Sequence, residues 1–499
     1  MIRIPSYSPP EAGVVAAVSS TLLVAVLFGA VIGLSQPLFT VAVFGLVASV
    51  ALLAAPIAGL WLATTLTFLL AGPIQYFLPR LGARLDWAAY LLAGSLFIPA
   101  LAALAVADRK THATVVRSLV VPPLVVFLLA AFLSTAVNHG SGFEVIAAIK
   151  SFVLFGGLWA FLAIAPIDEK NIRKWLAYIL AIGLIQWLPA IYQYIFVRGK
   201  RLAANIGDTT EASDAIVGTF PGSLDAGGLS SVLVLFLILL LSGLLISYRE
   251  NLLSRKRLSL YLAVLAVPVL LTEVKAIFVY LPLALMIIYG GEFKQRPVAF
   301  LALAVGTVAV TATLLFAYNK LHWSGRKDDL STRIEKLFSY SFEEKLGGIQ
   351  HRFGYMSRRE AVEFWLRQGT PDALAVLAGH GIGSSRTQGL ALGHAARQHF
   401  PMHIDLTGLS LLLWEVGLIG TGAVIGMLLA GYSAARRLAE KLANPMHKSI
   451  ANTLQVSFML YLVSIPYRND IPYAAPMMFM VMASFGLLGW LNRQTVGSR

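Results

Sequence analysis

The chain has no cysteine among its 499 residues. Disulfides and thiolate metal sites are therefore excluded, and any polar segment has to be held by packing and hydrogen bonds alone. Charge is scarce as well: 13% of residues are charged and 58% are hydrophobic, with a mean hydropathy of +0.75. A soluble globule carries roughly 45–50% apolar residues, so the composition points instead to a polytopic membrane protein. Acidic residues are the scarcer sign, 25 against 39 lysines and arginines, giving a formal net charge of +14. The basic residues fall in short clusters between apolar runs, where they act as topology signals and not as a face for nucleic acid. No Asp-x-Asp triplet occurs, which argues against a magnesium-held nucleotide sugar. No Gly-x-x-x-x-Gly-Lys-[Ser/Thr] loop for ATP is present either. No internal repeat is visible, and no cofactor is implied.

Apolar runs long enough to cross a bilayer, about 17 to 25 residues each, fall near 12–34, 37–55, 57–79, 86–107, 117–137, 144–165, 174–197, 227–247, 258–272, 275–291, 298–318, 405–432, 449–466 and 472–492. The predicted fold class is all-α: a polytopic transmembrane helical bundle of about 14 spans with a large extracytoplasmic loop containing short amphipathic helices. The first run lacks a cleavage signal and is read as a retained span. Short basic loops at 108–117, 168–174, 248–257 and 436–448 mark one side as cytoplasmic under the positive-inside rule. Both termini then fall inside, and the segments 198–229, 273–275, 319–403 and 468–476 fall outside. The chain divides into N-terminal helices (1–197), central helices with an outer basic loop (198–318), the large outer loop (319–404) and C-terminal helices (405–499).

The long loop concentrates the chemistry. It holds His322, His351, His380, His394, His399 and His403, six of the nine histidines. None pairs at i, i+4 with a nearby carboxylate as a zinc helix requires, so no metal site is expected. Thr332-x-x-Glu335 and Ser357-x-x-Glu360 fit capping boxes that open two short amphipathic helices. Such helices are expected on the membrane surface, roofing a cavity between spans. Gly379-His380-Gly381-Ile382-Gly383 is a turn whose successive amides suit an anion nest. Arg198, Lys200 and Arg201 follow a span, and read either as a phosphate-binding cluster or as a snorkelling helix end. Lys275 interrupts an apolar pattern beside Glu273, a placement that is costly and tends to mark function. The alternative is a local Glu-Lys pair ending two helices.

Four pieces of this pattern together resemble the bacterial O-antigen ligase and polysaccharide polymerase superfamily of integral membrane glycosyltransferases. They are Thr272-Glu273-Val274-Lys275-Ala276, Arg352-Phe353-Gly354-Tyr355 ahead of Ala361-Val362, the glycine turn with its preceding Leu377-Ala378, and His403 followed by Glu415-Val416-Gly417-Leu418-Ile419-Gly420. The resemblance covers roughly residues 198 to 432. The family pattern places His-Asn about nine residues before its glutamate; here His403 precedes Glu415 by twelve and is followed by Ile404-Asp405, so His399 stays a rival.

The resemblance implies a metal-independent transfer of a polyprenyl-diphosphate-linked glycan to a glycan or lipid acceptor, on the outer face of the bacterial inner membrane. Polymerisation of repeat units and ligation to a lipid acceptor are the alternatives it leaves open; a flippase or other transporter of the lipid-linked glycan and a non-catalytic assembly protein are the rival classes. Implied partners are the lipid-linked donor, the acceptor, membrane lipids and a polysaccharide chain-length regulator. His403 or His399 would be the assisting base, and Lys275, Arg352, Arg198, Arg201 and Arg358 the diphosphate ligands. Asp405 either orients the His403 ring or caps the following helix with Thr407.

Overall fold

A computed structural model describes residues 55–107, 118–138, 140–198, 215–223, 227–272, 274–290, 298, 305–306, 354, 356–370, 373–387 and 392–497. The expected spans at 12–34, 37–55 and most of 298–318, the Thr332 capping box, Arg201, Glu273 and Arg352 lie outside the described residues. In the described part, helices run in the order α1 (Pro56–Phe77), α2 (Pro79–Ser95), α3 (Phe97–Ala105), α4 (Val121–Asn138), α5 (Gly142–Phe152), α6 (Gly156–Ile164), α7 (Glu169–Ile185) and α8 (Trp187–Tyr192). A two-residue antiparallel pair, β1 (Gly222–Ser223) and β2 (Gly227–Gly228), follows. Then come α9 (Ser230–Arg249), α10 (Arg255–Leu271), α11 (Ile277–Tyr289), α12 (Arg358–Gln368), α13 (Ala373–Ala378), α14 (His394–Gln398), α15 (Gly408–Lys441), α16 (Pro445–Ser464) and α17 (Ala475–Gly497).

Among the described residues, eight helical stretches are long and apolar enough to cross a membrane, which makes the chain an all-α, multi-pass membrane protein. The reason lies in the backbone: inside lipid each N–H and C=O must be satisfied within its own segment, and a long apolar helix does that. Punctuation in the sequence sets several ends. Pro56 and Pro79 open α1 and α2 at the first helical turn, where a missing N–H costs nothing. Asn444 accepts from the Met446 amide at the start of α16.

The buried share of each apolar window separates inner from outer helices. It is 83% for α17 and 72% for both α9 and α15, but 22% for α4. α9 and α17 are packed with aromatic rings, Phe68 against Phe236 and Phe479, and Phe479 against Phe155. Such pairs contribute about 0.5–1.5 kcal/mol each beyond area burial. Close approach of α6 and α17 rests on small residues, Gly486 facing Leu162 and Gly489 facing Ala163, as is common where lipid supplies no drive for helix association. α4 instead turns Leu128, Leu129, Phe132 and Leu133 outward.

Two ends of the bundle differ in chemistry. At one, Trp490 donates to Ile167 O, stacks edge-on with His447, and Lys448 pairs with Glu250 at 3.3 Å. The basic segments 168–174, 248–257 and 436–448 thus meet at a single end, as the positive-inside reading groups them. At the other end lie the described part of the long loop and the 465–474 connection between α16 and α17.

The second capping box forms as predicted: Ser357 Oγ accepts from the Glu360 amide, and Glu360 accepts from the Ser357 amide. α12 packs on the bundle. Its apolar face is covered by protein, with Ala361 and Trp365 buried in a small core with Met356, Ala395, Ala396, Ile404, Leu413 and Trp414. That core ties the loop helices to the first turns of α15.

Candidate functional site

The site is built on a break in α15. Gly417 adopts φ 61°, ψ −164° inside the helix, and the break frees the carbonyls of Trp414 and Glu415. The glycine turn fills the gap: the His380 amide donates to Trp414 O at 2.7 Å and the Gly381 amide to Glu415 O at 3.0 Å. α4 clamps the same turn with its last polar residues. Ser134 Oγ donates to Glu415 O and accepts from the Gly381 amide, Thr135 Oγ1 accepts from the Ile382 amide, and Asn138 donates to Gly379 O. The glycine turn is therefore no open anion nest: these amides are bonded to the protein itself, and the group beside it is the buried Glu415 side chain.

Glu415 is fully buried. Its Oε1 accepts from Ser385 Oγ at 2.8 Å and from the Tyr473 hydroxyl at 2.9 Å, while Oε2 has no protein partner among the described residues. The Gly383 amide and the Arg386 guanidinium also bear on the carboxylate. Burial, and next the Glu415 charge, hold the Tyr473 phenol well above its ordinary value, so it remains a donor.

Two residues after Ser385 the same segment reaches His403. Thr387 Oγ1 donates to Asp405 Oδ1 at 2.5 Å and the Thr387 amide to Oδ2 at 3.2 Å. His403 Nδ1 lies 3.3 Å from Thr387 Oγ1. Since the hydroxyl proton is committed to Asp405, the oxygen accepts from the ring, so Nδ1 carries a hydrogen; in the neutral ring Nε2 then has the lone pair. Burial holds the Asp405 carboxyl above its ordinary value, with the Thr387 bonds and His403 only partly opposing the rise. Asp405 thus orients the ring through Thr387, whereas the cap of α15 is Thr407 with Ser410. His403 and Thr387 line a cavity of about 350 Å³ with Leu392, Ala396, Phe400, Pro401 and Met402.

His399, the rival base, is placed differently. Its ring packs against Phe364 and Trp414, at centroid distances of 5.4 and 5.1 Å. Burial, and then the neighbouring His380, lower its pKa. It is not among the residues lining the cavity. His394 is structural: its Nδ1 and the Arg397 guanidinium hold the buried Glu144 carboxylate at 2.9 and 2.8 Å, pinning α14 to the start of α5.

Cations collect on the 465–474 connection. Arg358 Nε donates to Tyr467 O at 2.7 Å and its guanidinium stacks on the Tyr467 ring at 4.1 Å. Arg386 stacks on the Tyr473 ring at 4.7 Å. Arg468 pairs with Asp470, which also accepts from Ser231. Tyr280 of α11 feels Arg358, Arg468 and Asp470 together, so the turn bearing half-buried Lys275 leads into the helix that abuts this platform. Arg198 packs 5.3 Å over Tyr194 of its own helical stretch, the geometry of a snorkelling helix end. Of the residues singled out in the sequence, the structure brings His403 onto the cavity and Arg358 onto the platform.

The sequence does not mark Arg386 or the α4 trio as site residues; Ser385 is legible only as the end of the glycine turn, and Arg468 and Tyr473 only as members of the outer segment 468–476. Of the unmarked residues, only the polar tail of the α4 run, Ser134-Thr135 and Asn138, carries a local signal, being out of place in an apolar helix. Among the described residues no group of three or more His, Asp or Glu side chains could hold a metal ion. No family model matches the chain, and no curated protein is similar to it.

Proposed function

We propose that this protein is a membrane glycosyltransferase that transfers or polymerises polyprenyl-diphosphate-linked oligosaccharide units on the periplasmic face of a bacterial inner membrane. The observation that carries the reading is the oriented His403, with Nδ1 on Thr387, itself bonded to Asp405, lining a cavity at the bundle end where Arg358, Arg386 and Arg468 gather.

In this reading an acceptor hydroxyl gives its proton to His403 Nε2, and its oxygen forms the new bond to the anomeric carbon. The bond from that carbon to the diphosphate oxygen breaks, and the electron pair leaves with the polyprenyl diphosphate. General-base assistance of this kind is worth about 10² to 10⁴ in rate. Arginines fixed on tyrosine rings are suited to the developing diphosphate charge, because donors already in place need no reorganisation. Apolar spans would hold the polyprenyl tail.

The test is transfer by the purified full-length protein from a polyprenyl-diphosphate glycan, with a free glycan and a lipid-linked core as alternative acceptors. The acceptor used separates polymerisation from ligation. Movement of labelled donor across liposomes without product would replace the reading with a flippase. Wild-type product levels in His403→Ala would remove His403 as the base.

A further inference from the structure

Three consecutive residues, Ser385, Arg386 and Thr387, each hold a different part of the site. Ser385 Oγ donates to Glu415 Oε1. Arg386 stacks on Tyr473, whose hydroxyl donates to that same oxygen. Thr387 binds Asp405 with both its amide and its hydroxyl and meets His403 Nδ1. Glu415 is thus the common anchor of a segment whose far end sets the histidine.

Glu415 does not reach the cavity. It has no exposed surface, and the lining there is Thr387, Leu392, Ala396, Phe400, Pro401, Met402 and His403. A carboxyl group sunk in a helix, with one oxygen lacking a hydrogen-bond partner of good geometry among the described residues, is expensive, and an apolar residue of similar size would be cheaper for packing alone. What an apolar residue does not supply is an acceptor for two hydroxyl donors coming from two separate segments. Those donors fix the height of residues 385–387 against α15 and against the 465–474 connection.

The geometry points to Glu415 as a positioning residue: through Ser385 and Tyr473 it sets the Ser385-Arg386-Thr387 segment, and so the Thr387–Asp405 contact that orients His403. The inference rests on the proposed base role of His403 for its catalytic meaning, and on the hydrogen bonds alone for its structural one.

Two measurements on the full-length protein in detergent test it. The first is carbethoxylation of each histidine by diethyl pyrocarbonate, followed by peptide mass spectrometry. Ser385→Ala and Tyr473→Phe, which leave the cavity lining intact, should raise the His403 rate several-fold and leave His447, at the opposite end of the bundle, unchanged. Glu415→Gln keeps an oxygen acceptor and should stay near wild type, while Glu415→Leu should behave like Ser385→Ala. An unchanged His403 rate in both Ser385→Ala and Tyr473→Phe overturns the proposal. So does a parallel rise at His447, which marks general loosening.

The second is transfer kinetics. Ser385→Ala should lower kcat by up to about a hundredfold, as small misplacements of a catalytic group do, with KM for the donor unchanged. In a Thr387→Val background the same change should cost nothing further. Full additivity of the two substitutions overturns the proposal. If the wild-type protein shows no transfer at all, the proposed function fails, and the modification rates still decide the role of Glu415.

Discussion

Gly379 and Gly417 lock each other's backbone: a Cβ added to either would stand 2.6 Å from the other's nitrogen, and both residues have positive φ, 77° and 61°. The contact joins the loop to the broken helix α15 at the level of Glu415. Everything around His403 hangs from this crossing, because the chain runs directly from Gly379 through Ser385 to Thr387.

Alanine at either glycine should therefore be severe. Left-handed backbone costs a residue with a Cβ roughly 1–2 kcal/mol, and the overlap with backbone atoms adds to that. Gly379→Ala and Gly417→Ala should lower Tm in detergent and reduce yield. Gly422→Ala, whose Cβ would meet nothing within 4 Å in the same helix, should leave Tm unchanged or raise it. Equal Tm in all three would remove the crossing as a structural requirement.

Loss of the Glu144 carboxylate should free α14 without unfolding the bundle. Glu144 is buried, whereas His394 and Arg397 are partly solvated, so Glu144→Ala leaves no buried charge behind. Limited proteolysis should then cut near Arg397 faster than in the wild type. Arg397→Ala should be milder, because His394 still serves the buried carboxylate. An unchanged cleavage rate in Glu144→Ala would show that the core around Ala395 and Ala396 alone holds α14.

Acid should weaken the packing around His399. Its folded pKa is lowered by burial and by His380, so between that lowered value and the ordinary one, about 6.5, the unfolded chain binds a proton that the folded chain does not. Stability then falls as the pH drops below the ordinary value and is fully present above it. Tm measured from pH 7.5 to pH 5.5 should decline, and the decline should be shallower in His399→Phe. Identical slopes would remove His399 as the source.

Arg386 and Arg358 should matter to the donor more than to the fold. Arg386→Gln and Arg358→Gln should raise KM for the polyprenyl-diphosphate donor, and Arg358→Lys should only partly restore it. A lysine cannot both stack flat on Tyr467 and donate to its carbonyl. A stacked cation contributes about 0.5–2 kcal/mol, so part of the effect will appear in Tm. Unchanged KM in both variants would take the diphosphate away from this platform.

Single cysteines report on the two ends cleanly, because the chain has none of its own. Gln398→Cys and Arg436→Cys, both at exposed positions, should react with an impermeant thiol reagent from opposite sides of a sealed membrane. Labelling of Gln398→Cys in intact spheroplasts would put the site outside. Labelling only after permeabilisation would reverse the orientation.

What the sequence determined by itself was the helices and their punctuation. Apolar runs at 227–247, 405–432 and 472–492 became α9, α15 and α17 to within a few residues, or about two turns at the end of α15, because in lipid a helix is the form that satisfies its own backbone. Ser357 and Thr407 became caps, since capping is read over three residues of chain. The grouping of the basic loops at one end followed from the alternation of spans. His403 could be named as a candidate from its place at a junction, and Asp405 as one of two readings for its partner, but the link between them could not: Asp405 acts through Thr387, which no spacing rule connects to it. Glu415 was visible only as part of a Glu-x-Gly-x-x-Gly string, and Arg386 not at all. Only the tertiary structure decided that the glycine turn spends its amides on the break in α15, that α12 packs on Trp414, and that Ser385 and Tyr473 meet on one carboxylate oxygen. The physical reason is that periodicity and capping report the surroundings of a single element, whereas a buried polar contact between distant segments depends on how several helices pack at once.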